Sequence, residues 1–494
     1  MVVSLAVGAC RTAEGEGEDP SGMATPPSTS DGLPLALTVH YVPNRLAARG
    51  VVDMAADAPE AELAMAYGRV GEALDQRTPP QRVGPGAKVE LPVLGLSPGE
   101  WSVAAVLDGM VGAPWTVTTS LPDDVVVGKV TVPAEEPEAG LVVCAAVQDP
   151  HAYRCADQVG RPMAYVPLTV RPMFVRPLSD GTWLVHPDIE GVLLQMNRLG
   201  QPLAAWRLDD LAGRRFVHDE LDPHDVIEIM EGPWTGAWAV ITRTLDNDLF
   251  GAGIVVFDPL TRDVLWDWSA HGFAGDGRSI DPDALPYGRD GNDPEHPRDW
   301  LHANALAHGR TDGVDHFWLS LRHQDWVIRV DTATDRVDLR VGLEGDVALV
   351  RRDEPDVEAE AAEWMYHQHA PKWTPNADGT MEMMLVDNGN TRPGGDPYSR
   401  LVRYVLSADR TTAWVDWSYG EPEPSEQYFM LPTAGDIDAA GPGGVRFTHH
   451  DDEAGWVSQV GWDGELQWQW MLPGHGELYR TESYASIYDA AEVR

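Results

Sequence analysis

A few of the sixteen histidines stand in a pattern that could do chemistry. His224-Asp225 comes just before an apolar run at 226–229. His302 and Asn304 follow Asp299-Trp300-Leu301. Arg322 closes a run that starts at Phe317. His367-Gln368-His369 precedes a run ending in Val386-Asp387-Asn388-Gly389. Neutral imidazole is a nucleophile and imidazolium a proton donor. A guanidinium offers fixed donors to a tetrahedral oxyanion, and a carboxamide adds a neutral donor. Such a set suits in-line transfer of a sulfuryl or phosphoryl group, which needs positioning and charge stabilisation above all.

These residues are far apart in sequence, so the fold must gather them. From about residue 173 a unit recurs: an apolar strand, a polar turn, then a strand rich in Trp. Copies run over 193–206, 254–268, 327–339, 401–417 and 457–470. The irregular spacing of roughly 50–80 residues suits β-propeller blades with inserted loops, whose equivalent strand edges converge on one channel. Amphipathic helices are nearly absent. The expected fold is all-β: a six-bladed propeller over 173–494, preceded by an immunoglobulin/fibronectin-III-like β-sandwich over 34–131 and a transition segment over 132–172. Short alternating strands separated by Gly and Pro turns mark the sandwich. It carries no catalytic constellation.

Composition narrows the function. Asp and Glu number 78 against 36 Lys and Arg, a net charge of −42. So acidic a chain repels phosphate backbones and disfavours nucleic-acid binding. The three lysines, Lys88, Lys129 and Lys372, form no phosphate-binding loop. No apolar run is long enough for a membrane-spanning helix. Residues 1–10 read like the end of a bacterial lipoprotein signal, with Gly8 and Ala9 before Cys10 but no basic n-region. Residues 11–33 have the composition of a flexible tether. On that reading the protein is periplasmic or in the cell envelope, lipid-anchored at Cys10. Cys144 and Cys155 are then expected to form a local disulfide, the alternative being two buried thiols. With no cysteine after Cys155, no disulfide is expected within the propeller.

The strings at 299–305 (DWLHANA), 320–324 (SLRHQ), 368–373 (QHAPKW), 386–390 (VDNGN) and 398–404 (YSRLVRY), with His224-Asp225, resemble bacterial aryl sulfate sulfotransferases in order and spacing. The resemblance covers about 180–490. It implies a periplasmic six-bladed propeller that moves a sulfuryl group from a phenolic sulfate ester to another phenol. The route is ping-pong through a sulfated histidine, with no nucleotide sulfate donor and no cofactor. The nucleophile falls on His369, with His367 the other candidate and, in an extended chain, on the same face; His367 is otherwise expected to bind substrate. Arg322 and Asn304 are expected to hold the sulfuryl oxygens. His224 or His302 is expected to protonate the leaving phenolate and deprotonate the incoming phenol. The implied partners are a small aryl sulfate and a phenol. A second copy of the chain is a further candidate, and the membrane enters only through Cys10.

Other readings stay open. The pocket could bind an anion or a partner without catalysis, or hydrolyse sulfate or phosphate esters with water in place of the phenol. His-x-His with two further histidines could hold zinc or copper, although Arg322 would repel a cation. A quinone-dependent dehydrogenase shares Trp-rich hairpins, but no adjacent cysteines support it. His449-His450-Asp451-Asp452 is metal-like, yet is read as a blade loop. The Asp-rich stretch 281–299 lacks calcium-loop spacing and is read as an insertion near the entrance.

Overall fold

The structure, a computed structural model, describes residues 33–488 with breaks, of which 271–297 and 421–430 are the longest; Cys10, the tether and most of the Asp-rich stretch lie outside the described residues. The chain is all-β, and its helical turns among the described residues are three-residue 3-10 turns.

Residues 35–119 make two antiparallel sheets. One pairs Leu35–Tyr41, Ala47–Met54 and Lys88–Leu94, and the other is built around Ala61–Arg69 and Gly99–Leu107. Alternating apolar residues of both, among them Val39, Val52, Met65, Leu91, Trp101 and Val103, fill one shared core. The unit is fastened to the rest of the chain by its Asn44. The Asn44 N–H donates to Leu199 O at 2.8 Å and its Nδ2 to Arg198 O at 3.0 Å.

The remaining chain folds into six antiparallel meanders among the described residues. From the inner strand outward, the second to the sixth start with Pro172–Pro177, Glu220–Glu228, Ala303–Thr311, His369–Pro375 and Ile437–Ala439. The inner strands of consecutive meanders touch one another. The first meander differs. Its strands Val142–Gln148, His151–Asp157 and Pro162–Pro167 fall in the segment read as a transition, and its inner strand is Thr481–Tyr484. A pairing across some 340 residues leaves no local signal, and the prolines around it mask the alternation. The ring then closes through the Thr481 N–H, which donates to the Asp436 carboxylate at 3.2 Å.

Cys144 and Cys155 face each other on the paired strands of this first meander and are joined by a disulfide. The disulfide therefore lies inside the ring of sheets, whose first strand in the chain, Lys129–Val132 on the outer edge of the sixth meander, comes some forty residues before the repeat signal.

Neighbouring meanders are held together by the Trp-rich strands. Trp206 packs edge-on to Trp238, Trp266 stacks on Phe317, Trp318 on Trp373, and Trp417 meets Trp462. Each such pair adds about 0.5–1.5 kcal/mol beyond its buried area. His449 and His450 end the strand Gly444–His450 rather than lying in a loop. The ring of His449 is stacked between Phe447 and Trp456, and its Nε2 is 2.9 Å from Ser458 Oγ. Asp451 and Asp452 lie outside the described residues.

Candidate active site

In an antiparallel meander the second strand ends where the first begins. Residues just before an inner strand and just after its neighbour therefore share one end of the ring. His302 immediately precedes Ala303–Thr311, and Arg322 and His323 follow Val314–Leu321. His369 opens His369–Pro375, and Asn388 follows Met381–Asp387. Tyr479 stands two residues before Thr481–Tyr484. The inner strands are irregular at this end. Pairing slips between Leu221 and Val226, between Ala303 and Ala305, and between His369 and Lys372. Such bulges release His224, Asn304 and His369 from the strict alternation of a strand and re-aim them. His302, His367 and Ala370 hold positive φ of 47°, 54° and 49°. Left-handed backbone costs these residues on the order of 1 kcal/mol each, and is found where a site dictates the conformation.

Two histidines are backed by carboxylates. His302 Nδ1 is 2.6 Å from Asp299 Oδ2. His224 Nδ1 bonds Asp222 Oδ1, and the His224 N–H donates to the same oxygen at 3.0 Å. Arg243 stands behind, its Nε donating to Asp222 Oδ2 at 2.7 Å. The two rings meet edge to face, with centroids 4.7 Å apart. Burial pushes His302 down to about 4, which Asp299 only partly opposes. Asp299 is itself held ionised: burial would raise it, but His302 and His323 outweigh that. His302 therefore rests neutral, with its proton on Nδ1 and a lone pair on Nε2.

Arg322 is held by His323. Its Nη1 donates to His323 Nε2 at 2.8 Å, and His323 Nδ1 donates to Asp299 O at 2.7 Å. Burial lowers Arg322 only to about 10, so it stays charged at neutral pH. Burial, then the neighbouring His302, pushes His323 down to about 3.

His369 is buried, and its Nδ1 lies 2.6 Å from Asn388 Oδ1. Burial first, then the charge of Arg322, holds it well below the ordinary histidine range, so it too is neutral. Tyr479 lies between the histidines, with ring centroids 5.8 Å from His224 and 6.1 Å from His369.

The structure thus brings His224, His302, Arg322 and His369 to one end of the ring. Asn304 is there too, but its Nδ2 donates to Gln368 O at 2.7 Å. One of its two N–H groups therefore fixes the backbone before His369, and its buried Oδ1 makes no hydrogen bond. His367 does not share a face with His369. Its positive φ places it outside the strand, with its N–H on Asp325 Oδ1 at 2.7 Å and its Nδ1 3.0 Å from Thr391 Oγ1. Its ring stands by His323, centroids 5.7 Å apart. Sequence reasoning missed Asp222 and Asp299 as histidine partners, although a carboxylate two or three residues before a histidine was a usable signal. It missed His323 and Asn388, which lie inside the quoted strings, and Tyr479, which had no signal at all.

Asp299, His302 and His323 offer ligand atoms within 4.8 Å of one another. As a metal group they fit poorly, because His323 Nε2 accepts from Arg322 and the guanidinium repels a second cation.

No curated protein matches the sequence. Solved structures align over much of the chain at low similarity. TolB from Acinetobacter baumannii is 11% identical, covering 78% of this chain and 79% of its own, with a TM-score of 0.31. The GH93 α-L-arabinofuranosidase of Fusarium graminearum is 9% identical, covering 72% and 87%, with a TM-score of 0.34. The arylsulfotransferase (ASST) family, by contrast, matches in sequence over residues 177–436, just over half of the chain and the stretch that carries His224, His302, Asn304, Arg322 and His369. The chain belongs to the arylsulfotransferase (ASST) family, and an arylsulfotransferase-type function goes with it.

Proposed function

We propose that the protein is an aryl sulfate sulfotransferase working by a ping-pong route through a sulfated His369. On this reading the six meanders are blades of a six-bladed propeller with the site at one mouth of its channel, and the two N-terminal sheets are an immunoglobulin-like sandwich. A cell-envelope location agrees with the Cys144–Cys155 disulfide, since such bonds persist in oxidising compartments.

The observation that carries the reading is the convergence of a neutral, buried histidine with a charged arginine and two carboxylate-backed histidines. In the first half-reaction the Nε2 lone pair of His369 attacks sulfur. The Nε2–S bond forms, the S–O bond to the donor breaks, and the phenolate leaves with the electron pair. Arg322 faces the charge on the sulfuryl oxygens, where a preorganised donor counts most. In the second half-reaction His302 or His224 takes the proton of the incoming phenol, whose oxygen attacks sulfur as the S–Nε2 bond breaks. Asp299 or Asp222 stabilises the imidazolium so formed, which delivers its proton to the next leaving phenolate.

Release of nitrophenol from 4-nitrophenyl sulfate in EDTA, with and without added phenol, tests the proposal. Release that depends on phenol is expected. Equal release without phenol would mean a sulfatase, and none with several aryl sulfates would return the site to a binding role.

A further inference from the structure

His224, His302 and His369 are not partnered alike. His224 and His302 face carboxylates, whereas His369 faces the neutral amide of Asn388. We propose that Asn388 is a positioning residue that holds His369 as the Nδ1–H tautomer, with its lone pair on Nε2, and that its neutrality keeps the sulfated ring a good leaving group. The second half of this proposal rests on the reading of His369 as the nucleophile; the first half does not.

The orientation of the amide is fixed by its surroundings. Asn388 Nδ2 lies 2.6 Å from Leu431 O, which can only accept. Oδ1 therefore faces His369, and an oxygen that can only accept requires a proton on Nδ1. Ser399 braces the same loop: its Oγ donates to Asn388 O at 2.9 Å and accepts from the Leu431 N–H at 2.8 Å. Before Asn388, Asp387 is clamped by Arg392 at 2.5 Å and Arg400 at 2.9 Å. After it, Gly389 takes a φ of 70°, and a Cβ there would lie 1.9 Å from Tyr398 O. Asn388 itself is fully buried.

The choice of an amide has a chemical consequence. When Nε2 bonds to sulfur the ring becomes positive, and the Nδ1–H bond to Oδ1 strengthens. When the acceptor attacks, the S–Nε2 bond breaks and its electron pair returns to Nε2. A carboxylate at 388 would neutralise the ring's charge, strengthen the S–N bond and slow that second step. It would also raise the affinity of His369 for a second proton, which would block the lone pair. With no acceptor at 388, nothing would keep the proton off Nε2.

The test is long-range 1H–15N NMR of the histidine-labelled full chain, with His369 identified by its loss in His369→Gln. The wild-type ring is expected as the Nδ1–H tautomer. Asn388→Ala should shift it toward Nε2–H, and Asn388→Asp should raise its pKa by at least one unit. Asn388→Asp sets a carboxylate oxygen against Leu431 O, so Asn388→Ala serves if that variant does not fold. With 4-nitrophenyl sulfate above this raised pKa, Asn388→Asp should keep the first-turnover burst while steady turnover falls about tenfold or more, the range found when the hydrogen-bond partner of a metal-bound histidine is changed. An Nε2–H tautomer in the wild type, or a tautomer unchanged in Asn388→Ala, would overturn the positioning role. A turnover slowed equally with the burst in Asn388→Asp would overturn the leaving-group role. Absence of a burst in the wild type would instead sink the sulfohistidine reading while the tautomer result stood.

Discussion

Two buried polar regions lie next to each other on the same inner strands, and they treat charge in opposite ways. His224, Tyr479 and His369 face the site. One residue further on, Asp225 and Arg480 enter a second cluster, and Lys372 joins it three residues after His369. In that cluster Arg480 and Arg176 lie 3.1 Å and 3.0 Å from Asp225 Oδ1, and Lys372 lies 2.8 Å from Asp438. Burial would raise Asp225, but Arg480 and Arg176 hold it below the ordinary carboxylate range; burial would lower Arg480, but Asp225 raises it. At the site burial wins at the basic groups, though not at Asp299. His302, His323 and His369 are pushed down, and Arg322 falls to about 10. In the ion cluster charge partners oppose burial at Asp225 and Arg480, whereas at the site burial leaves the imidazoles neutral and able to attack or to take a proton.

If that division is right, mutations on the two sides must separate activity from stability. The largest effect is expected from His369→Asn, which removes the nucleophile. Phenol-dependent release should fall by about 10⁴ or more while the urea midpoint changes little. Next comes Asp225→Asn, which leaves Arg480 and Arg176 buried without their carboxylate. It should cost about 3–5 kcal/mol in urea unfolding while the folded fraction keeps most of its turnover. Equal losses of activity in both variants would erase the distinction.

The order of the histidines was legible because each sits in a short string at a strand end, where local sequence and position coincide. The Cys144–Cys155 pair was legible because eleven residues separate two strands of one hairpin. The closure of the first meander by Thr481–Tyr484 was not, since register between distant strands is decided by packing and not by either segment. The role of Asn388 was hidden for a similar reason. Its orientation depends on Leu431 O, 43 residues away in sequence.

The weakest effects are expected from pH. His302 stays neutral in the fold down to about 4 but takes up its proton near 6.5 when unfolded. Between those values the unfolded chain binds more protons, so this contribution to stability is lost as pH falls from 6.5 to about 4. Glu482, in the ion cluster, runs the other way. Burial raises it from 4.5 to about 7, so its contribution is complete below 4.5 and lost as pH rises through 7. Glu482→Gln should therefore stabilise the protein at pH 8 by about 3 kcal/mol and change it much less at pH 5. Urea midpoints at the two pH values check this, and a gain at pH 5 as large as at pH 8 would refute it.

On the proposed route the sulfuryl group rests on His369 between donor and acceptor. This is tested most directly by mass spectrometry of the protein incubated with 4-nitrophenyl sulfate and no phenol, then digested at a pH that preserves nitrogen–sulfur bonds. One added SO3 group is expected on the peptide that carries His369, lost when phenol is added and absent in His369→Asn. A burst of nitrophenol with the group on another residue, or on none, would contradict it.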